Sequence, residues 1–268
     1  LKFTVLLSLY CKESPDYLNY CLQSIADNTL RPDQVIIVYD GEVGEQLEAV
    51  VDKYTLRLPI EVVRITKNIG LGNALNYGLS FSTNDVVIRM DTDDKCLSCR
   101  FEKQISYLEQ HPQVVLLGSA VEEFDESMKY SQGIRFSESS HLKIKEYAKK
   151  RNPFNHMSVV FKKSVIEKVG GYQHHYYMED YNLWLRVIAS GYLTYNSPEV
   201  LVYVRAGKSM IGRRKGIKYI LSEIKLANIK RKLKIDSFFG VITVAILRII
   251  PRFLPTALLK YFYAFLRK

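Results

Sequence analysis

The sequence predicts an α/β fold, with a mostly parallel sheet flanked by helices and a basic helical tail behind it. Three observations carry this reading. Short apolar runs without helical spacing alternate with segments whose apolar residues recur every three or four positions, the pattern of strand–helix–strand units. The runs stop abruptly at polar residues, most sharply where Val86-Val87-Ile88-Arg89-Met90 meets Asp91-Thr92-Asp93-Asp94. The charge is also divided: residues 205–268 hold 16 Lys+Arg against Glu223 and Asp236, a balance of +14, so residues 1–204 carry −4 of the net +10. At 268 residues and 47% hydrophobic content the chain can bury a full core, which excludes a disordered protein.

Residues 2–10 read as a buried strand. Ser14 before Pro15 fits a helix start, and Tyr17, Leu18, Cys21, Leu22 and Ile25 follow at helical spacing. Residues 34–39 form a second strand ending in Asp40-Gly41, residues 45–54 a helix, and residues 60–65 a third strand. Ligands of parallel sheets sit beyond the carboxyl ends of the strands, so Tyr10 to Glu13, Asp40 and Lys67-Asn68 are candidates for one nucleotide pocket. Residues 67–78 place Gly70 and Gly72 before a helix whose free amides suit an anion, although the spacing matches no standard phosphate-loop pattern.

Beyond the acidic cluster, residues 100–111 read as a helix, 114–119 as a strand and 122–140 as a polar, edge-like region. A short basic helix spans 140–151, and the polar turn 152–156 precedes another strand. Residues 165–169 form a helix stopped by Gly170-Gly171, and Glu179-Asp180 open a helix over 181–188.

Three carboxylates in four positions repel one another and raise one another's pKa, so they need a cation or a set of donors. Asp91 and Asp93 flank one residue and can face the same side, where hard oxygen ligands suit Mg²⁺ or Mn²⁺. An acidic turn capping a helix that begins near Leu97 is the alternative. Glu179-Asp180 carry the same pair of readings, helix-dipole capping or general-base work. Cys11, Cys21, Cys96 and Cys99 are too few and irregular for a disulfide framework, and Cys96-x-x-Cys99 lacks a second pair or a nearby His, so a reducing cytoplasm is expected.

The tail contains the apolar run 237–247, followed by Arg248, Arg252, Lys260, Arg267 and Lys268. It is shorter than the roughly 20 apolar residues needed to cross a bilayer, so a helix lying in the interface is expected. A helical pair that packs on the body or on a second subunit, as in a homodimer, is the alternative. Nucleic-acid binding by the tail is disfavoured, because no stacking aromatics sit on a recognisable module.

In order, Val5–Tyr10 with Glu13, Val38-Tyr39-Asp40-Gly41, Asn68-Ile69-Gly70 through Gly78, Asp91-Thr92-Asp93-Asp94, Asn155-His156, Gly170-Gly171-Tyr172, and Glu179-Asp180 through Trp184-Leu185-Arg186 resemble the inverting family 2 glycosyltransferases of the GT-A fold, over about residues 3–215. More narrowly, the chain is similar to bacterial enzymes that build O-antigen, capsule or exopolysaccharide repeat units, including the amylovoran-type enzymes. The resemblance implies a Rossmann-like nucleotide-sugar half over 1–94, an acceptor and catalytic half over 95–215, and a membrane-associating tail over 216–268. It implies a UDP-sugar donor, UDP-Gal or UDP-Glc, and a HexNAc acceptor on a polyprenyl pyrophosphate, joined through a β1,3 bond. The enzyme would work in the cytoplasm, peripherally bound to the inner face of the plasma membrane.

The resemblance also distributes roles. Asp93, with Asp91, would hold Mn²⁺ or Mg²⁺; Tyr10, Glu13, Asp40, Arg64, Lys67, Asn68, Gly70, Thr92 and Asp94 would surround the nucleotide sugar. Asp180 would be the general base, with Glu179 as runner-up or acceptor-positioning residue. Asn155, His156 and Trp184 would line the acceptor, and Arg205, Lys208, Arg213 and Arg214 would meet diphosphate on donor or lipid. One departure stands out: Tyr39-Asp40-Gly41-Glu42 carries one acid where many relatives have two adjacent ones. A catalytically silent nucleotide-sugar-binding subunit is the remaining alternative.

Overall fold

A computed structural model describes residues 1–206 and 216–250. Its first half is the expected parallel unit. Strands β1 (Phe3–Leu9), β2 (Gln34–Asp40), β3 (Ile60–Ile65) and β4 (Val86–Arg89) lie in the order β3-β2-β1-β4, every pairing parallel. Helices α1 (Pro15–Ala26), α2 (Glu45–Tyr54) and α3 (Leu71–Phe81) cover both faces. Alternating side chains divide the core: Val5, Leu7 and Leu9 pack with α1 and α2, whereas Leu6, Ile36 and Val38 pack with α3.

The second half departs from the parallel expectation. It comprises β5 (Lys95–Cys96), α4 (Arg100–Gln110), β6 (Val114–Phe124), β7 (Ser131–Arg135), α5 (His141–Lys150), a 3₁₀ turn (His156–Ser158), β8 (Val160–Lys162), α6 (Lys163–Lys168), α7 (Glu179–Ala189) and β9 (Leu193–Arg205). The sheet continues β4-β8-β6-β9-β5, and β7 hangs on β6. β8 runs antiparallel to both β4 and β6, β5 antiparallel to β9, and β6 parallel to β9. A parallel neighbour requires a crossover of a dozen or more residues; the six residues between β6 and β7 permit only an antiparallel hairpin.

Strand β9 is absent from the sequence reading because Pro198 and its polar neighbours break the apolar pattern. Pairing jumps from Ser119↔Ser197 to Ala120↔Val200, so the proline sits in a bulge where it need not donate to a ladder.

The tail begins as two helices, α8 (Ile217–Lys232) and α9 (Phe238–Ile249), packed on the body against α7 and α5 and on each other. Among the described residues no helix is long and apolar enough to cross a membrane.

Candidate active site

The ends of β1 and β4 lie side by side, with Leu6 opposite Arg89, and this brings the loop after β1 to the acidic cluster after β4. Glu13 Oε2 accepts from Thr92 Oγ1 at 2.5 Å and Oε1 from the Ser14 amide at 2.8 Å. Cys21 Sγ donates to the Asp91 carbonyl at 3.2 Å. From the far side of the sheet, the Arg205 amide donates to Asp94 Oδ1 at 3.0 Å, Nε donates to the Asp93 carbonyl at 3.3 Å, and the guanidinium stacks 3.6 Å above the Tyr17 ring. Arg205 therefore braces the backbone of the acidic turn as well as lying beside it.

Oxygens of Asp91, Asp93 and Asp94 lie within 4.8 Å of one another. Burial, and then the charges of Asp91 and Glu13, push Asp93 up to about 7. Burial and the neighbouring acids likewise hold Asp94 well above the usual carboxylate range. Its Oδ2 is buried without a hydrogen-bond partner. Three crowded hard-oxygen donors, one of them unsatisfied, fit a divalent cation.

Sequence reasoning overlooked the internal cation of this cluster. Arg89 is 1% exposed and pairs with Asp91, while its Nε and Nη1 have no partner. Its charge favours ionisation of Asp93, Asp94, Glu179 and Asp180. A single basic residue ending an apolar strand, immediately before three acids, was the signal available in the sequence.

Asp40 closes the other wall. It is buried, and its oxygens accept from the Ile69 amide at 2.7 Å and the Gly70 amide at 3.0 Å, while Asn68 Nδ2 donates to its carbonyl at 3.2 Å. Asp40 thus shapes the glycine loop, with each carboxylate oxygen engaged once. Gly41 has φ +88°, and a Cβ there would lie 3.0 Å from the Asn68 amide nitrogen, so the chain approaches too closely for a side chain. Arg64 makes a two-pronged pair with Glu48 and lies 4.7 Å from the Tyr39 ring centre. Tyr10 and Lys67 are exposed at the same strand ends.

Helix α3 carries the nucleotide half to the second carboxylate pair. Asn76 Nδ2 donates to the Tyr172 carbonyl at 2.7 Å and Oδ1 accepts from the Tyr172 amide at 2.8 Å. A Cβ on Gly72 would touch Tyr172 at 3.4 Å and the Glu179 side chain at 3.5 Å. Glu179 and Asp180 open α7, both half-buried. Asp180 Oδ2 accepts from Asn152 Nδ2 at 2.6 Å and Oδ1 from the Tyr181 amide at 2.7 Å, which fixes the carboxylate plane. Burial raises Asp180 and pushes Glu179 up to about 7.

The expected acceptor residues fare differently. Trp184 is 0% exposed and packs edge-on against Phe154 and His156, so it is a core residue that an acceptor cannot touch; its size and apolar surface are used inside α7. Asn155 is occupied by scaffold bonds, donating to the carbonyls of Ser119 and Arg135 and accepting from Arg135 Nε. His156 meets the Tyr172 hydroxyl at 2.8 Å, and burial, then Arg89, hold its pKa well below the usual imidazole value, so it is neutral. Lys208, Arg213 and Arg214 lie outside the described residues.

Comparison with known proteins agrees with this arrangement. The family model described as glycosyl transferase family 2 matches residues 5–170. An Erwinia amylovora protein, amylovoran biosynthesis glycosyltransferase AmsE, is 48% identical over 97% of both chains. An Escherichia coli UDP-Gal:alpha-D-GlcNAc-diphosphoundecaprenol beta-1,3-galactosyltransferase is 43% identical over 98% of this chain and 95% of its own. In structure, S. aureus TarS 1-349 in complex with UDP superposes with a TM-score of 0.69 over 96% of this chain and 73% of that one, at 16% identity. The mannosyltransferase PcManGT from Pyrobaculum calidifontis, in complex with GDP-Man and Mn²⁺, gives 0.61 over 99% and 80%, also at 16% identity. With a family model over more than half its length and close relatives along nearly all of it, the chain is a glycosyltransferase of family 2, built on the GT-A fold.

Proposed function

We propose that the protein transfers a hexose, galactose before glucose, from its UDP conjugate to an N-acetylhexosamine carried on a polyprenyl diphosphate, inverting the anomeric centre and forming a β1,3 bond. The observation that carries this reading is the pairing of an acidic, cation-suited cluster with an oriented carboxylate pair, both within the field of the buried Arg89. The activity named for the E. coli relative supports the choice of donor and acceptor.

Asp91 and Asp93, with Asp94 behind them, would hold Mn²⁺ or Mg²⁺, which when bound supplies Lewis-acid neutralisation of the departing diphosphate. The amides at the start of α3 add donors on the same side. An acceptor hydroxyl is a weak nucleophile at neutral pH. Asp180 takes its proton as the oxygen attacks the anomeric carbon and the bond to UDP breaks. The two hydrogen bonds to Asp180 leave a lone pair on each oxygen for that proton. Glu179, packed against Gly72, stands nearer the donor and serves to position sugar.

The acceptor's lipid gives α9 a role. Its Phe238, Phe239, Ile242 and Leu247 are exposed, in a region rich in Lys and Arg, which suits an anionic membrane surface at the inner leaflet.

A donor panel tested with Mn²⁺ on a synthetic GlcNAc-diphosphate lipid, followed by linkage determination, checks the proposal. UDP-Gal is expected to give a β1,3 product, and turnover with no UDP-hexose would refute it. Phe238→Ser/Phe239→Ser is expected to weaken sedimentation with anionic vesicles; undiminished binding would remove α9 from the membrane contact.

A further inference from the structure

The carbonyls of the last turn of an α-helix lack intrahelical partners. At the end of α5 they are claimed one by one from three other helices. The Ala148 carbonyl accepts from the Tyr181 hydroxyl of α7 at 2.7 Å, the Lys149 carbonyl from Lys230 Nζ of α8 at 2.7 Å, and the Lys150 carbonyl from Arg248 Nη1 of α9 at 3.0 Å. The donors also meet each other: Lys230 Nζ lies 4.9 Å, and the Arg248 guanidinium 5.9 Å, from the Tyr181 ring centre. Arg248 is held in turn by Glu223 of α8 at 2.8 Å, and Glu223 and Lys230 are each 2% exposed.

Two residues beyond α5, Asn152 donates to the Asp180 carboxylate, and the residue whose hydroxyl caps Ala148 is Tyr181, whose amide holds the other Asp180 oxygen. Both restraints on Asp180 therefore trace back to a junction that α8 and α9 complete. Helix α8 also holds the approach to α7, since Lys225 Nζ donates to the His174 carbonyl at 2.5 Å and the His175 ring meets the Ser222 carbonyl at 2.9 Å.

We infer that the C-terminal helices belong to the catalytic apparatus: Lys230 and Arg248, the latter steadied by Glu223, are positioning residues that fix the end of α5 and through it the orientation of Asp180. The inference rests on Asp180 being the base. It separates two roles for the tail. An anchor alone governs access to a lipid-borne acceptor, whereas a positioning element governs the rate on any acceptor.

The test uses the full-length protein, UDP-Gal, Mn²⁺ and a GlcNAc-diphosphate on a short, water-soluble alkyl chain, with no membrane present. The variants are Lys230→Met, Lys230→Arg, Glu223→Gln/Arg248→Met, which removes both charges so that neither is left orphaned, Asn152→Ala, and the last two combined. Displacement of a catalytic group by about 1 Å costs on the order of 100-fold. Accordingly kcat is expected to fall about 10- to 100-fold in Lys230→Met and in the paired variant, with KM and the dissociation constant for UDP within about twofold. Lys230→Arg, which keeps a donor, is expected to recover most of the rate. The combined variant is expected to lose no more than the worse of its two parents, because they act through one contact.

Unchanged kcat on the soluble acceptor, or losses that multiply in the combined variant, would overturn the inference. UDP affinity reports folding, and should the paired variant fail to bind UDP, Lys230→Met and Lys230→Arg decide the matter. Asp180→Asn run in parallel distinguishes the two failures. If it stays active, the assignment of the base falls and this inference with it; if it is dead while the tail variants keep their rate, only the inference falls.

Discussion

Arg89→Met probes the electrostatic centre of the molecule. The side chain is 2% exposed and its partner Asp91 28%, so Met fills similar space while removing a buried charge that offsets the acidic turn from within. Breaking a buried pair from one side costs about 3–5 kcal/mol. Partial exposure of Asp91 puts the expected loss at the lower end, about 3 kcal/mol, or roughly 6–12 °C in Tm for a chain of this size. The variant has lost its internal counter-charge, so it should depend more on an external one. A metal at 100 times its dissociation constant contributes about 2.7 kcal/mol. Melting curves in chelator and in excess Mn²⁺ are expected to show a larger metal-induced rise for the variant than for the parent protein. Equal Tm values in chelator, or equal rises with Mn²⁺, would refute the idea that Arg89 stands in for part of the cation's charge.

Other measurements address the remaining parts of the site. Asp93→Asn is expected to reduce transfer by about 100-fold or more, consistent with the several kcal/mol a metal supplies, and to abolish the Mn²⁺ binding heat seen by calorimetry. Glu179 and Asp180 are raised by burial, so the ionised fraction grows as pH increases and the acidic limb of kcat should lie well above the ordinary carboxylate value of about 4; a limb below pH 5 would contradict the role given to this pair. Because Asp93 and Glu179 are held near 7 when folded, their contribution to stability is present below their unfolded values and is lost as pH rises through about 7. In chelator the protein should therefore melt lower at pH 8 than at pH 5.5, with Mn²⁺ narrowing the difference. Gly78→Ala would place a Cβ 2.5 Å from Val38 Cγ2 and 2.7 Å from Leu6 Cδ1, and overpacking of this kind costs about 1–3 kcal/mol, readable in a urea titration.

What the sequence discloses depends on how locally each feature is encoded. Strands β1, β2 and β4 are buried on both faces, so each reads as a short, mainly apolar run, and the helices between them keep their 3.6-residue period. Strand β7 is largely exposed and polar, and β9 is interrupted by its bulged proline; both are defined by pairing with β6 rather than by an apolar pattern of their own. The acidic site follows the same rule. Asp91, Asp93 and Asp94 announce themselves by crowding, and Glu179-Asp180 by their place at a helix start. Asn152 is an ordinary polar turn residue until the fold brings it 2.6 Å from Asp180. Trp184 misleads for the opposite reason, because a lone tryptophan beside an acidic pair looks like a sugar platform but is entirely enclosed.

In the proposed reaction the separation of the acidic turn from Asp180 must be held constant, and no short covalent segment sets it: Asp93 and Asp180 are separated by 87 positions of chain. Helix α3 braces the Asp180 side. The loop leading into that helix is held by Asp40, and its second turn grips Tyr172, seven residues before Glu179, through reciprocal bonds from Asn76. The grip requires one bare backbone. Gly171, at φ +59° with a hypothetical Cβ only 2.7 Å from Asn76 Oδ1, lets the loop turn beneath it, whereas a Cβ on Gly72 would make only ordinary contacts with Tyr172 and Glu179. A side chain at Gly171 would strain the turn and disturb the Asn76 bonds that hold the loop leading into α7. Gly171, which reads as a helix stop in the sequence, thus has a second task, which is to let α3 hold the approach to Glu179 and Asp180.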